Sequence, residues 1–460
     1  MARFAVIVAG GVNVLFQWPM ALFSTPIEQS LADPVFFSLC AHLTVALLVA
    51  WSVGVPSLQW TGPDRSEVST RQIVPPVAVL FGLLGIFLLL MPAQCTALYA
   101  MIFDPSNTLL AREVTIKLAG STIATSSYGA VANAAAPATA GMSLLLMMQG
   151  ARSKRFSVVL LCLFLIAASF AAALLGGAKG LLVPLAIVVI FAAVGTYRSL
   201  WIKLTALIVT VVCLASLLAA FEVLRERGGR DIPYDFAGCV VTLGTVDQGR
   251  ELLQSMATGG LTMSPRQIEA LTADLENSGG RKLPPVVIPA AKPPTTERAA
   301  TYLNAIAYRA FVTPIQGAAW HHLYVEEHGT PGIGTLPLAL KLFGASVDAT
   351  SLVYHAYGVT FSGGDATSTS TTPTSYVFAY PAYFGWLGLL AVIVLTLGVD
   401  VVASLAIRRS NRAVRSVGAG LLAVIAFNAS TSDLYTVMVS HGGAAALLLI
   451  ILMGWTRRAA

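Results

Sequence analysis

The chain has 460 residues, 56% of them hydrophobic and only 11% charged, with a mean hydropathy of +0.76. Those values exclude an ordinary soluble domain and a disordered chain, and they place the protein among polytopic membrane proteins. Its formal charge of +6 calls for no nucleic acid, because the basic residues gather in short loops between apolar stretches.

A helix needs about 20 largely apolar residues to cross a bilayer. In chain order, residues 4–23, 36–55, 73–91, 122–148, 156–175, 181–196, 204–221, 384–407, 417–429 and 435–455 meet or approach that length, so about ten spans are expected. The first could be mistaken for a cleaved leader, but Gln17 and Trp18 interrupt its apolar core and no small-x-small site follows. Segment 122–148 is rich in Ala, Gly, Ser and Thr, a composition that suits tight helix packing or a cavity wall better than lipid. The expected fold is an all-α polytopic membrane protein in three regions. Residues 1–221 carry seven spans, 222–376 form a large, partly helical outer loop, and 377–460 carry three spans.

Lys and Arg of short loops stay on the cytoplasmic side. Threading ten spans in order puts Arg65 and Arg71; Arg152, Lys154 and Arg155; Arg198 and Lys203; Arg408, Arg409, Arg412 and Arg415; and Arg457 and Arg458 on one face. With that face cytoplasmic, both termini lie inside and residues 92–120, 176–180 and 222–376 lie outside. Five cysteines are too few for a disulfide framework, and Cys40, Cys162 and Cys213 fall in spans. Cys95 and Cys239 are expected on the outer, oxidising side, where one bridge between them is open to them.

The outer interval has two halves. Up to about Pro294 it is polar, with a turn at Gly228 and Gly229, one short helix opened by Ser264-Pro265-Arg266-Gln267, and a Pro-rich stretch at 284–294. In the second half Thr296 can cap a helix to about Phe311, and Thr313-Pro314 starts another that runs to about Glu327 before Gly329 stops it. Short helices are expected at 337–343 and 347–357, followed by a Ser/Thr/Gly run. GxGxxG, P-loop and GxSxG patterns are absent.

Chemistry is therefore sought among the outer cations and hydrogen bonders. Lys179 lies in Gly176-Gly177-Ala178-Lys179-Gly180, where glycines allow close backbone approach and the ammonium suits a phosphate; the plainer reading is a lysine snorkelling from a helix end. Arg298, Tyr302 and Arg309 follow helical spacing along one stripe, and Tyr308 falls beside it with Thr301 and Asn304, a set suited to a sugar phosphate or equally to a solvated face. Arg112 and Lys117 on the shorter outer loop are weaker members of the same class. The run His321-His322-Leu323-Tyr324-Val325-Glu326-Glu327-His328 is the densest acid/base cluster, with His321 and His328 on one face and His322 and Glu326 on another. It is not HExxH, so no metal is expected; its rival reading is a structural helix at the membrane surface. His355 reads as packing under the loop, and His441 and Asp400 fall in the last spans, where an ionisable group is a functional candidate.

Ten or so spans, the Gly-Ala-Lys-Gly turn opening a helix, the late outer loop with scattered arginines, and Ala379-Tyr380-Pro381-Ala382-Tyr383-Phe384-Gly385-Trp386-Leu387-Gly388 leading into the next span resemble bacterial O-antigen and exopolysaccharide repeat-unit polymerases of the Wzy type. The resemblance implies a lipid-linked-sugar glycosyltransferase fold of GT-C type. It also implies a polyprenyl-diphosphate-linked oligosaccharide as substrate, transfer on the periplasmic face, no cofactor, and a chain-length regulator and a flippase as partners. Lys179 and Arg309 would then stabilise the diphosphate leaving group, with Arg298, Arg112, Lys117, Tyr302 and Tyr308 binding substrate. His321, Glu326, Glu327 or His328 would serve the acceptor hydroxyl. Two rival readings stand beside it. O-antigen ligases share the architecture, but their outer-loop His is followed by Asn, Ser or Gln, and none of the six histidines here is so followed. A flippase or transporter would show broken membrane helices, for which Pro137 and the Ser/Thr content of 122–148 are the hints.

Overall fold

The computed structural model describes residues 68–104, 107–118, 127–176, 182–196, 234–258, 265–279, 313–330, 352–358, 375–407, 410–429, 434–439 and 441–455, with single positions at 201, 204–205, 208 and 432. Among the described residues the structure is helical and has no strand. Five helices among the described residues are long and apolar enough to cross a membrane: Thr70–Leu90, Ser127–Arg152, Phe156–Leu174, Tyr376–Ile407 and Arg412–Ala429, accompanied by the shorter apolar Leu182–Thr196 and Gly443–Trp455. The expected spans 4–23 and 36–55, and nearly all of 204–221, lie outside the described residues. The chain divides into two compact units, one comprising residues 59–288, 402–424 and 438–460, the other 1–58, 289–401 and 425–437. The division at residue 289 falls inside the Pro-rich stretch.

In the larger unit Ser127–Arg152 is mostly enclosed by protein, as its small-residue composition requires, whereas Thr70–Leu90 and Phe156–Leu174 show most of their surface outward. Close approach depends on glycine: a Cβ on Gly420 would meet the Val188 Cα at 2.9 Å, and one on Gly141 would meet Val188 at 3.0 Å. The helix ends sort into two groups. At one end the Val68 N–H donates to Gln149 Oε1, Asn411 Nδ2 donates to Gln72 Oε1, and Arg412 Nε donates to the Gly195 carbonyl. At the other end Tyr128 donates to the Ala173 carbonyl and accepts from the Gly176 N–H. Segments 91–118 and 234–279 gather at that second end.

Those segments form a cap. Phe87, Met91, Ala100, Leu110, Val114, Tyr234, Phe236, Val240, Leu253, Met256 and Leu275 share one apolar core with Cys95 and Cys239. The two cysteines are bonded, with Cα atoms 5.5 Å apart across 144 positions of sequence. Asp104 accepts from the Tyr234 N–H and from Asn107 Nδ2. The sequence pattern suggests one short helix in this half of the outer interval, but three occur: Phe236–Leu243, Val246–Thr258 and Pro265–Gly279. Two have their own starts: Asp235 accepts from the Gly238 N–H, and Thr245 and Gln248 make a reciprocal capping box.

One expected span is broken, and another begins at a reversal of the chain. The last is split into Leu434–Val439 and Gly443–Trp455, with Gly442 at φ +71° packed against the Ala130 backbone. Opposite it, Val131–Ala135 is a π-helical turn, and Asn133 donates to the Gly129 carbonyl. Tyr376–Ile407 is bent at Gly385, where φ is +56° and ψ −132°. The Tyr376 hydroxyl bonds Thr396 at 2.6 Å. Twenty residues of straight helix would separate those positions by about 30 Å, so the chain doubles back at Gly385. Residues 376–384 are thus one leg of a helical hairpin, and 386–407 are the other, matching the expected span 384–407.

Candidate functional site

The histidine-rich sequence folds as the helix Thr313–His328, and Gly329, at φ +77°, ends it where expected. Its acid/base residues do not form one pool. They are divided among three faces by the residues each one meets.

His321 is 1% exposed, and its Nδ1 is hydrogen-bonded to the Tyr383 hydroxyl. Tyr383 lies two residues before the Gly385 bend, on the first leg of the hairpin. Around it Val325 packs with Ala379, Tyr380, Ala382 and Phe384. The second face carries Trp320, Leu323 and Tyr324, which pack on Val353, Ala356 and Tyr357. There the Tyr357 hydroxyl donates to Glu327 Oε2 at 2.5 Å. Burial first, and then the Glu327 carboxylate, push the Tyr357 phenol well above its ordinary pKa of 10.0. His328 stacks on Tyr324 with ring centroids 4.6 Å apart. The third face is partly solvated: His322 Nε2 lies 3.1 Å from Glu326 Oε1, with the histidine side chain 32% and the glutamate 60% exposed.

The sequence spacing pairs His322 with Glu326, and the structure does the same. His321 and His328, expected on one face, have different neighbours, Tyr383 for one and Tyr324 for the other. Of the four candidate bases, His321 alone is both shut off from solvent and hydrogen-bonded to the hairpin. Among the described residues no three His, Cys, Asp or Glu side chains converge on a common point. His355 lies on the π-helical turn Tyr354–Gly358, its ring edge-on to Tyr354.

The cations are placed unevenly. Arg112 lies on the helix Thr108–Glu113 in the cap, half-buried, with its Nε enclosed and lacking a hydrogen-bond partner among the described residues, and within electrostatic reach of the Tyr128 hydroxyl. That hydroxyl binds the N–H of Gly176, the first residue of the glycine turn. Lys117 is placed by its backbone alone, on the π-helical turn Val114–Leu118. Lys179, Arg298, Tyr302, Tyr308 and Arg309 lie outside the described residues.

Tyr383 is the functional candidate that spacing arguments passed over. Its partner is 62 positions away in sequence. The available signal was local: Pro381 and Gly385 flank Tyr383 at the entry to an apolar span, a combination that breaks helices. No protein-family model matches the chain, and no curated protein or solved structure matches it either.

Proposed function

We propose that the protein is a polymerase of polyprenyl-diphosphate-linked oligosaccharide repeat units, working on the periplasmic face of a bacterial inner membrane. The observation that carries this reading is the buried His321–Tyr383 pair at the bend of a helical hairpin. Residues 386–407 are long enough to span about 30 Å of hydrocarbon. If they do, Gly385 and the exposed Trp386 lie at a membrane boundary, where a lipid-linked diphosphate presents its first sugar and where tryptophan is enriched. An acid/base pair at that depth suits activation of a sugar hydroxyl, and the outer cations suit the charge that develops on the departing diphosphate.

Two observations support placing the cap outside the cytoplasm, and the threading of the expected spans puts the whole interval 222–376, the histidine helix included, on that side too. The Cys95–Cys239 bond fits an oxidising compartment, and the helix ends opposite to it carry Arg152, Lys154, Arg155, Arg412 and Arg415. Both termini are then cytoplasmic. Reporter fusions after Arg155, Lys203 and Arg412 should read cytoplasm, and fusions at Gly180 and within 280–294 should read outside. An inside signal from 280–294 would overturn the placement. The proposed partners are a flippase and a chain-length regulator.

A transporter or flippase is favoured by one feature, the break before Gly443 facing the π-helical turn Val131–Ala135, since discontinuous helices line transport sites. Deletion separates the readings. A strain lacking a polymerase accumulates single lipid-linked repeat units on the outer leaflet. Units trapped on the cytoplasmic leaflet would indicate the flippase, and long lipid-linked chains would indicate a ligase.

A further inference from the structure

Resting on the polymerase reading, we propose that the group meeting the acceptor sugar hydroxyl is the Tyr383 phenol, with His321 behind it as the proton acceptor of a relay. The Nδ1 to Oη hydrogen bond can run in either sense. A phenol with an ordinary pKa of about 10 is a far stronger acid than the N–H of neutral imidazole. An imidazole whose conjugate acid has a pKa of about 6.5 is in turn a far stronger acceptor than a phenol oxygen. Tyr383 therefore donates, Nδ1 accepts, and the ring proton sits on Nε2.

That tautomer changes the role of His321. The ring has one basic lone pair, and Tyr383 occupies it, so His321 takes a proton from substrate only through the phenol. Position points the same way. Both side chains are buried, His321 at 1% and Tyr383 at 6% exposure, and Tyr383 is the one that stands within two residues of the hairpin bend. The tyrosine is held there by Val325 on one side and by its own helix neighbours Tyr380 and Phe384 on the other.

The step balances as follows. The acceptor sugar gives its hydroxyl proton to Tyr383 Oη while Tyr383 passes its own proton to His321 Nδ1. The sugar oxygen forms a bond to the anomeric carbon of the donor, and the bond from that carbon to the diphosphate breaks, its electron pair leaving on the diphosphate. Tyrosine ends neutral and His321 ends as imidazolium, which passes its proton back through Tyr383 to water once the lipid diphosphate departs. Glu326 and Glu327 are not needed as bases, since one faces solvent with His322 and the other is held by Tyr357.

The test uses the full-length protein in lipid nanodiscs with two readouts. With nitrogen-15 histidine, the resonances missing from His321→Gln identify His321. The expected pattern is the Nε2–H tautomer, with a shift of Nδ1 in Tyr383→Phe; an Nδ1–H tautomer in the unsubstituted protein overturns the relay. In elongation of polyprenyl-diphosphate repeat units, Tyr383→Phe and His321→Gln should each lose about a hundredfold to ten-thousandfold, with the double variant no slower than the worse single. A Tyr383→Phe protein that elongates at the unsubstituted rate while His321→Gln is inactive overturns it too, because His321 would then act directly. Unsubstituted protein that elongates nothing would sink the polymerase reading and the acceptor role of Tyr383 with it, while the tautomer would still decide the sense of the hydrogen bond.

Discussion

The cap around Cys95–Cys239 and the helix Thr313–His328 are both built from helices outside the long apolar ones, yet they are held in opposite ways. The cap has one apolar core of side chains from segments far apart in sequence, closed by a buried disulfide. Apart from the Tyr234 hydroxyl, which donates to the Cys95 carbonyl, that core is held by apolar contact and the disulfide. The histidine helix is positioned by two small aromatic clusters and by two tyrosine hydroxyls, one on His321 and one on Glu327. Its geometry depends on where protons sit. The contrast separates a part built for shape from a part equipped for chemistry, and it can be broken at either end.

The largest effect is expected from the disulfide. Closing a loop of 144 positions is worth up to about 5 kcal/mol on the chain-entropy model. The Cys95→Ala/Cys239→Ala protein should therefore melt well below the parent in the same detergent, with the loss read by thermal or denaturant unfolding. An unchanged melt would show that the apolar core alone holds the cap. Thiol labelling of the unreduced protein gives the companion measurement, in which neither Cys95 nor Cys239 should react before reduction.

Next come the outer cations, which neither region supplies in full. Arg309→Ala and Lys179→Ala should each lose about two to three orders of magnitude in elongation, roughly 3–4 kcal/mol on the scale of a removed oxyanion donor. If Arg309 grips the diphosphate as a bidentate fork, Arg309→Lys recovers little, whereas Lys179→Arg is tolerated better than Lys179→Ala. Folded alanine variants that elongate at the parent rate would make both residues ordinary interfacial cations.

How far each region was legible in the sequence follows from the same contrast. Apolar length and basic loops locate seven of the ten expected spans where the structure has apolar helices, because hydropathy is a local property. The end of the histidine helix is equally local, since only glycine takes the left-handed backbone of position 329 without strain. The cap was legible in one respect, the two cysteines expected on one side of the membrane. Its helices Phe236–Leu243 and Val246–Thr258 were missed although Asp235 and the Thr245/Gln248 pair announce both starts, because the polar composition around them hides a narrow apolar stripe. The break at Gly442 is hidden inside the expected span 435–455, and the reversal at Gly385 sits at the very start of the expected span 384–407, because hydropathy registers apolar length but not direction. Tyr383 meeting His321 was beyond reach: a hydrogen bond across 62 positions is created by the hairpin, and no spacing rule encodes it.

A smaller effect sharpens the chemistry side. Tyr357→Phe removes the hydroxyl that donates to Glu327, a loss of about 1–2 kcal/mol for a hydrogen bond to a charged but partly solvated carboxylate. The pH dependence has a definite sign. The folded phenol is raised above its ordinary 10.0, so its contribution is complete below about pH 10 and is lost only as pH rises through the higher folded value. The difference in phenolate absorbance between the parent and Tyr357→Phe should accordingly show no titration near pH 10. A transition there would mean that Tyr357 is solvated and that the second face of the histidine helix is not held by Glu327.

The smallest effect is expected one residue away from the buried histidine. His322 and Glu326 meet at 3.1 Å on the third face, the histidine half-buried and the glutamate exposed, in the i, i+4 relation where such pairs are worth about 0.5 kcal/mol or less. His322→Ala, Glu326→Gln and the double variant should thus melt within about 1 °C of the parent and elongate lipid-linked units at the parent rate. Salt should change nothing further, because screening removes an interaction that is already small. The value of this near-silence lies in its neighbour: His321 and His322 are the same residue type at adjacent positions, and only the face they occupy differs. If Glu326→Gln instead abolished elongation in a folded protein, the acid/base work would belong to the solvated face, and the Tyr383–His321 pair would be a structural tie between the helix and the hairpin.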